Sequence, residues 1–211
     1  MNTRLIVGLG NPGQRYMATR HNAGFLLLDR LIERFQAERS TEGSNYVLWS
    51  AQTDQGPLFL MKPLTYMNLS GEALIAFLNK HPLEPPHILV TYDDIALPLG
   101  VIRARGAGSA GGQKGMRNII DLMGTREIPR LRLGIDSPER GGRPLPDFVL
   151  EDFAEDEVPA LKTALAEAED AVVMWLETDL AKVMATFNSR AATSEQTAEP
   201  HAPVTGNGGV T

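Results

Sequence analysis

The stretch LIVGLGNPG, residues 5–13, constrains the fold of this chain more than any other feature. Its apolar run predicts a buried strand over residues 4–9, and its glycines predict a turn directly after that strand. The glycines at positions 8, 10 and 13 also match the G-x-G-x-x-G pattern of dinucleotide-binding turns. The stretch therefore leaves two alternatives, a nucleotide site or a turn that serves other chemistry.

The surrounding residues give the nucleotide alternative little support. A dinucleotide site needs a helix at the third glycine and an acidic residue about 20 positions further on, at the end of the second strand. In this chain the next predicted helix begins near residue 22, Asp29 lies inside it, and Asp54 lies in a turn. A nicotinamide or nucleotide enzyme is therefore disfavoured, since the pattern alone is weak support.

Strands and helices alternate along the chain, which predicts a three-layer α/β domain over residues 1–188. Ser70 is expected to cap one of the helices through its hydroxyl group. From Ser189 onward the chain has almost no large apolar residues, so residues 189–211 are predicted to form a flexible tail. Strands are predicted over 46–52, 57–61, 88–92, 101–105 and 131–135, and helices over 22–38, from 70, and over 115–123, 155–177 and 179–188.

Composition excludes several classes of chemistry. The chain has no cysteine, so disulfides and thiolate sites are excluded, and its four histidines show no metal-ligand spacing. Ser109 lies in AGSAG, which resembles a serine nucleophile elbow, but the only later histidine is His201 in the predicted tail. No apolar run approaches the ~18 residues of a spanning helix, and no signal peptide is evident. We expect a cytoplasmic protein without metal or cofactor.

The charges are unevenly distributed along the chain. Residues 103–134 contain seven basic and two acidic residues, whereas residues 151–181 contain ten acidic residues and one lysine. Two ordinary solvated faces are one explanation. A basic face that binds phosphate is the other, even though the formal net charge is -6.

Polar residues collect after the ends of the predicted strands. A histidine with a carboxylate behind it is the minimal general base, and carboxamides beside it both donate and accept hydrogen bonds. Considered alone, these residues could equally be turn, capping or surface residues, and Met67 could be core filler. The set comprises Asn11, Tyr16, His21 and Asn22 after the first strand, Asn68 after the hairpin, and Asp93 after the central strand.

Four segments together resemble the bacterial peptidyl-tRNA hydrolase family: GLGNPGQRYMATRHNAG, KPLTYMNLSG, ILVTYDDIALPLG and GSAGGQKGMRNI. The resemblance covers residues 3–188. It implies a mixed twisted sheet between helices and a monomeric enzyme that needs no metal, cofactor or obligate protein partner. Such an enzyme cleaves the ester between a peptide and the 3′ ribose of tRNA, and so recycles tRNA from stalled translation.

The resemblance also implies roles for individual residues. His21 would activate water and Asp93 would orient it, while Asn11 and Asn68 would hold the ester carbonyl and the peptide backbone. Tyr16, Asn22 and Met67 would line the cleft, and the GLGNPG glycines would turn the backbone so that Asn11 faces it. The phosphates of the acceptor stem and CCA end would meet at most half of the basic set Arg103, Arg105, Lys114, Arg117, Arg130 and Arg132.

Two positions depart from the family pattern. Lys114 stands where the family's GGHNG segment has asparagine, and a cationic amine cannot accept a hydrogen bond. It would contact phosphate or donate to the ester carbonyl as the oxyanion forms. Ala96 stands where a second acid is common. The alternative function is a non-catalytic RNA-binding protein on the same scaffold, as in the related plant organelle splicing factors.

Overall fold

A mixed β-sheet forms the centre of the computed structural model, which describes residues 3–40 and 43–197. Within these residues the strand order is β2-β3-β4-β1-β5-β7-β6. The four inner strands β4, β1, β5 and β7 are parallel, and the outer strands pair antiparallel. The strands are β1 (Arg4–Gly8), β2 (Glu38–Ser40), β3 (Tyr46–Thr53), β4 (Gly56–Pro63), β5 (Ile88–Pro98), β6 (Ile102–Arg105) and β7 (Arg130–Asp136).

Helices cover both faces of the sheet, which confirms the predicted three-layer α/β fold. Ile6 of β1 packs into a core cluster with α1, α5 and α6, whereas Leu5 and Val7 pack into a second cluster with α2 and α3. Both faces of β1 are buried, as is typical of a central parallel strand. The helices are α1 (Ala23–Arg34), α2 (Ser70–Leu78), α3 (Lys114–Met123), α4 (Leu145–Phe148), α5 (Val158–Glu177) and α6 (Leu180–Thr197).

The GLGNPG glycines have two different purposes. Of the three, only Gly13 has a positive φ, 111°, and so turns the chain in a conformation that favours glycine. Gly8 and Gly10 instead provide space for α1. A Cβ atom at Gly8 would lie 2.5 Å from the Gly24 carbonyl oxygen, and one at Gly10 would lie 2.6 Å from the Phe25 ring. The pattern thus serves close packing of strand and helix.

Several predicted boundaries are corrected by the structure. Helix α1 ends at Arg34 because Gln36 adopts a left-handed φ of 48°, and the chain then enters the unpredicted edge strand β2. The Ser70 hydroxyl does not cap α2: it donates to the Met67 carbonyl, because a 3-10 turn at Met67–Leu69 precedes the helix. The short helix α4 was also missed.

Helix α6 runs past the predicted start of the tail at Ser189 and ends at Thr197. Asn188 anchors this helix to the edge strand β6, because its side-chain amide accepts from Ala104 N at 2.9 Å and donates to Ala104 O at 3.0 Å. Alanine, glutamate and glutamine after Asn188 are good helix formers. The rest of the predicted tail, residues 198–211, lies outside the described residues. Within the described ranges, every helix is too short or too polar to cross a bilayer.

Candidate active site

A cleft of about 710 Å³ opens beside the point where β1 ends and β5 continues. Strand β1 pairs with β5 only as far as Thr91, so Asp93 emerges into the gap between them. Two sets of residues line different parts of this cleft. The polar wall consists of Asn11, His21, Asp93 and Gln113, and the apolar wall consists of Leu145, Pro146, Val149 and Leu150.

His21 and Asp93 form a hydrogen-bonded pair in the polar wall. The distance from His21 Nδ1 to Asp93 Oδ2 is 2.7 Å, although 72 positions separate the two residues. The side chain of Asp93 is 4% exposed and that of His21 is 13% exposed. A carboxylate can only accept here, so Nδ1 carries the proton that is donated to Asp93 when the ring is neutral, and Nε2 is the basic nitrogen.

Asn11 is held by its neighbours at both its backbone and its side chain. The Asn22 amide accepts from Asn11 N at 2.8 Å and donates to Asn11 O at 3.0 Å. Asn11 Oδ1 accepts from Met67 N at 2.9 Å. Since the side-chain oxygen is engaged, the amide presents its NH₂ group as a donor in the cleft. The asparagine is therefore fixed before any ligand arrives.

Gln113 connects helix α3 to the polar wall. It is the N-cap of α3, where its Oε1 accepts from Met116 N at 2.7 Å. Its Nε2 donates to Asp93 Oδ1 at 3.3 Å and lies 3.1 Å from the Met67 sulfur. Asp93 thus receives a donor on each of its two oxygens, as a buried carboxylate requires.

A backbone hydrogen bond and a buried ion pair hold the apolar wall against Arg20–Asn22, the 3-10 turn that contains His21. His21 N donates to Val149 O at 2.8 Å, so the turn and the wall are in direct contact. The neighbouring Arg20 is 2% exposed, pairs with Glu157 and stacks over the Phe148 ring at 4.3 Å. These contacts place the wall relative to His21.

Glu157 is the buried carboxylate that balances the charge of Arg20. Burial alone would raise the pKa of Glu157, but hydrogen bonds from Ser137, Arg20 and the Ala154 N–H together hold its pKa below its ordinary value. The carboxylate is therefore ionised at neutral pH, as the buried arginine beside it requires.

Comparison with known proteins identifies the relatives of this site. Residues 5–196 match the family model described as peptidyl-tRNA hydrolase. The chain belongs to the peptidyl-tRNA hydrolase family. This confirms the family predicted from the sequence.

Individual members of the family are similar over nearly their whole length. The peptidyl-tRNA hydrolase of Syntrophomonas wolfei is 40% identical over 185 residues, which are 88% of this chain and 100% of the relative. That of Desulforamulus reducens is 43% identical over 189 residues, 89% of each chain. The crystal structure of the Acinetobacter baumannii peptidyl-tRNA hydrolase superposes with a TM-score of 0.80 at 30% identity, covering 89% of this chain and 95% of that one.

Six of the residues predicted from the resemblance to peptidyl-tRNA hydrolases line the cleft together: Asn11, His21, Met67, Asn68, Asp93 and Lys114. Asn22 does not line it. Because its amide clamps the Asn11 backbone, it lies behind the cleft and is 1% exposed. Tyr16 also lies outside the lining, where its ring stacks 4.5 Å from the Arg15 guanidinium carbon.

Arg130 does not belong in the predicted phosphate-binding set, because it is buried. It is 1% exposed, and its guanidinium donates to four backbone carbonyls, including Gly108 O and Ser109 O at 2.9 Å. Burial lowers the pKa of Arg130 and raises that of the neighbouring Tyr92 hydroxyl. Arg130 therefore supports the glycine-rich loop from inside the protein and cannot meet RNA without losing these bonds.

The other predicted basic residues lie at or near the surface on one face. Arg103 pairs in register with Arg132, and Arg105 with Arg130, so all four point to the α2 and α3 side of the sheet. Arg105, Lys114 and Arg117 are exposed and Arg103 is half-buried. Arg132 is half-buried and pairs with Asp94 in the cleft lining.

Sequence reasoning missed Gln113 as a wall residue and missed the apolar wall altogether. The signal for Gln113 was its position two residues before the predicted helix 115–123, close to where a side-chain acceptor is expected. The apolar wall had no comparable signal, because Leu145 begins the four-residue helix α4 and Val149 and Leu150 follow directly after it. In the described part of the chain, no three His, Asp or Glu side chains are grouped as metal ligands would be.

Proposed function

We propose that this chain hydrolyses the ester between a peptide, or an N-blocked amino acid, and the 3′ ribose of tRNA, and that His21 activates the attacking water. The observation that carries the proposal is the 2.7 Å contact between His21 Nδ1 and Asp93 Oδ2 inside the cleft. Family membership supports the reaction, and the geometry supports the mechanism.

The reaction needs a base but no covalent nucleophile. His21 Nε2 accepts a proton from water, and the resulting hydroxide attacks the ester carbonyl carbon. Asp93 holds the ring in the required tautomer and stabilises the imidazolium. The bond between the carbonyl carbon and the ribose oxygen then breaks, and the imidazolium returns its proton to that oxygen. The products are deacylated tRNA and a free carboxylic acid, which loses its proton to solvent at neutral pH.

Amide donors of the cleft stabilise the charge that develops on the carbonyl oxygen. The Asn11 amide presents its NH₂ group, because Met67 N–H occupies its oxygen. Asn68 is exposed in the cleft lining and can donate to the ester carbonyl or to the peptide backbone. Each well-placed donor of this kind contributes roughly 3 kcal/mol to the transition state.

The surface formed by Arg103, Arg105, Lys114 and Arg117 is the tRNA-facing surface in this proposal. It lies on the α2 and α3 side of the sheet and reaches the cleft at Lys114. Phosphate contacts position a substrate without reading its bases, which suits an enzyme that accepts many tRNAs. The chain acts as a monomer in the cytoplasm, without cofactor or obligate protein partner.

Turnover of a defined substrate tests the proposal directly. Purified chain is incubated with N-acetyl-aminoacyl-tRNA, and both released N-acetyl amino acid and deacylated tRNA are quantified. We expect many equivalents of both products per protein molecule. Binding of the tRNA without release would instead support the non-catalytic RNA-binding alternative, and the mechanism would be rejected.

A further inference from the structure

Asp93 has two oxygens, and only one of them is used by His21. Oδ2 accepts from His21 Nδ1 at 2.7 Å, and Oδ1 accepts from Gln113 Nε2 at 3.3 Å. Both partners come from other parts of the chain, 72 and 20 positions away. The orientation of the carboxylate plane is therefore set by the histidine on one side and by the glutamine on the other.

The orientation of the Gln113 amide is itself fixed by its surroundings. Met116 N–H, 2.7 Å from Oε1, can only donate, and the Asp93 carboxylate can only accept. Both partners require the same amide orientation, with oxygen toward the helix and nitrogen toward Asp93. Gln113 is 8% exposed, so few other arrangements are open to it.

From this geometry we infer that Gln113 is a positioning residue for hydrolysis, one that locks Asp93, and through it His21, to the N-terminus of helix α3. This inference rests on the proposed function. It assigns Gln113 two separable tasks: an acceptor that caps α3 and a donor that aligns Asp93. Few side chains do both, since a carboxylate offers no donor at neutral pH and a lysine offers no acceptor.

The two tasks can be separated with variants that keep the cap. Serine is a preferred N-cap residue but is too short to reach Asp93, so Gln113→Ser removes the donor without adding charge. Gln113→Glu keeps an acceptor at the positive end of α3 and places a second carboxylate against Asp93. Neutral histidine has one donor and one acceptor on its ring, so Gln113→His is the conservative variant.

Activity and stability are then measured together for each variant. We expect a thermal unfolding midpoint close to that of the unchanged chain for Gln113→Ser and a lower one for Gln113→Glu, because two buried carboxylates repel each other. We also expect kcat on N-acetyl-aminoacyl-tRNA to fall by about 10- to 100-fold, with KM nearly constant, because the base is misplaced. In Gln113→Glu the acidic limb of the pH–rate profile moves to higher pH, since extra negative charge favours the protonated imidazole. Gln113→His recovers most of the rate.

A purely structural role makes the opposite prediction. If Gln113 only caps α3, both cap-preserving variants retain kcat and an unchanged pH–rate profile, and the inference is overturned. If one of these variants does not fold, the other decides between the two outcomes. If the chain without substitutions releases no product, the proposed function itself is rejected. Failure of the proposed function is thus distinguishable from failure of the positioning role of Gln113.

Discussion

The two walls of the cleft are held in different ways. The side chains of the polar wall are hydrogen-bonded within the protein: Asn11 to Met67 N, His21 to Asp93, and Asp93 to Gln113. The apolar wall has half-exposed side chains, with Leu145 41% and Leu150 44% exposed, and it is positioned through its backbone. The polar wall is thus ordered by contacts within the chain, whereas we expect the apolar wall to gain burial from a bound substrate. Variants of the first should change kcat and variants of the second should change KM.

The largest effect is expected for Asp93→Asn. The amide can present its NH₂ group to His21 Nδ1, which favours the tautomer that leaves Nε2 protonated and unable to accept a proton. We expect kcat to fall by about 10²- to 10⁴-fold, with tRNA binding retained. Asp29→Asn is the matched control, because Asp29 is 61% exposed and pairs with Lys62 outside the cleft lining. Equal effects of the two substitutions would remove Asp93 from the mechanism.

The support of the apolar wall is tested by Glu157→Gln. This substitution leaves Arg20 as a buried cation without its counter-charge, which costs roughly 3–5 kcal/mol of unfolding free energy in comparable cases. Chemical denaturation measures the loss. Glu151→Gln is the matched control, because the pair of Glu151 with Arg143 is 38% and 40% exposed and should contribute little. If Glu151→Gln loses as much unfolding free energy as Glu157→Gln, the buried pair of Arg20 and Glu157 has no special role in stability.

The same residue gives a pH dependence with a defined sign. The pKa of Glu157 in the folded chain lies below the ordinary value of 4.5. Its contribution to stability is therefore complete above pH 4.5 and is lost as the pH falls through the folded-state pKa. The difference in unfolding free energy between the unchanged chain and Glu157→Gln should shrink on acidification below that value. A difference that grows in acid would contradict this assignment.

A smaller effect is expected when the apolar wall itself is shortened. Leu150→Ala removes apolar surface that a bound substrate would cover, so KM should rise by about 3- to 10-fold while kcat changes little. Leu122→Ala is the control, since Leu122 is 48% exposed but lies outside the cleft lining. A fall in kcat with constant KM would show that the two walls are not functionally separate.

The smallest change is expected for Lys114→Ala at physiological salt. Loss of one phosphate contact should reduce the slope of log affinity against log salt by about one unit. Lys162→Ala, on helix α5 at the opposite face of the sheet, should leave the slope unchanged. If the slope is constant but kcat falls, Lys114 acts on the ester carbonyl instead of on RNA.

The fold was largely predictable because its signals are local and repetitive. Buried strands with helices between them indicate a three-layer α/β domain, and β7 and the β3–β4 hairpin lie close to their predicted ranges. The edge strand β2 was not predictable, since Glu38 and Ser40 have no strand pattern. The docking of α6 on β6 was not predictable either, because the bonds of Asn188 to Ala104 are a tertiary contact that no local pattern reports.

The cleft was predictable only in part. Polar residues that follow neighbouring strands meet at one edge of a sheet, which made His21 and Asp93 candidates, and the family resemblance supplied their paired roles. Arg130 and Asn22 show the limit of such reasoning. Charge suggested that Arg130 faces RNA, and the resemblance suggested that Asn22 lines the cleft, but both side chains are buried and bonded to backbone groups. Sequence composition reports which groups are present, not which of them already have partners.

Single-turnover hydrolysis by His21→Ala is the most direct test of the mechanism. His87→Ala is measured in parallel, because His87 lies in a separate cavity with Arg4 and Trp175. With N-acetyl-aminoacyl-tRNA saturated by excess protein, His21→Ala should bind the RNA normally and release product at least ~10²-fold more slowly, while His87→Ala keeps the original rate. Release by His21→Ala at a rate close to that of the unchanged chain would show that another group activates the water.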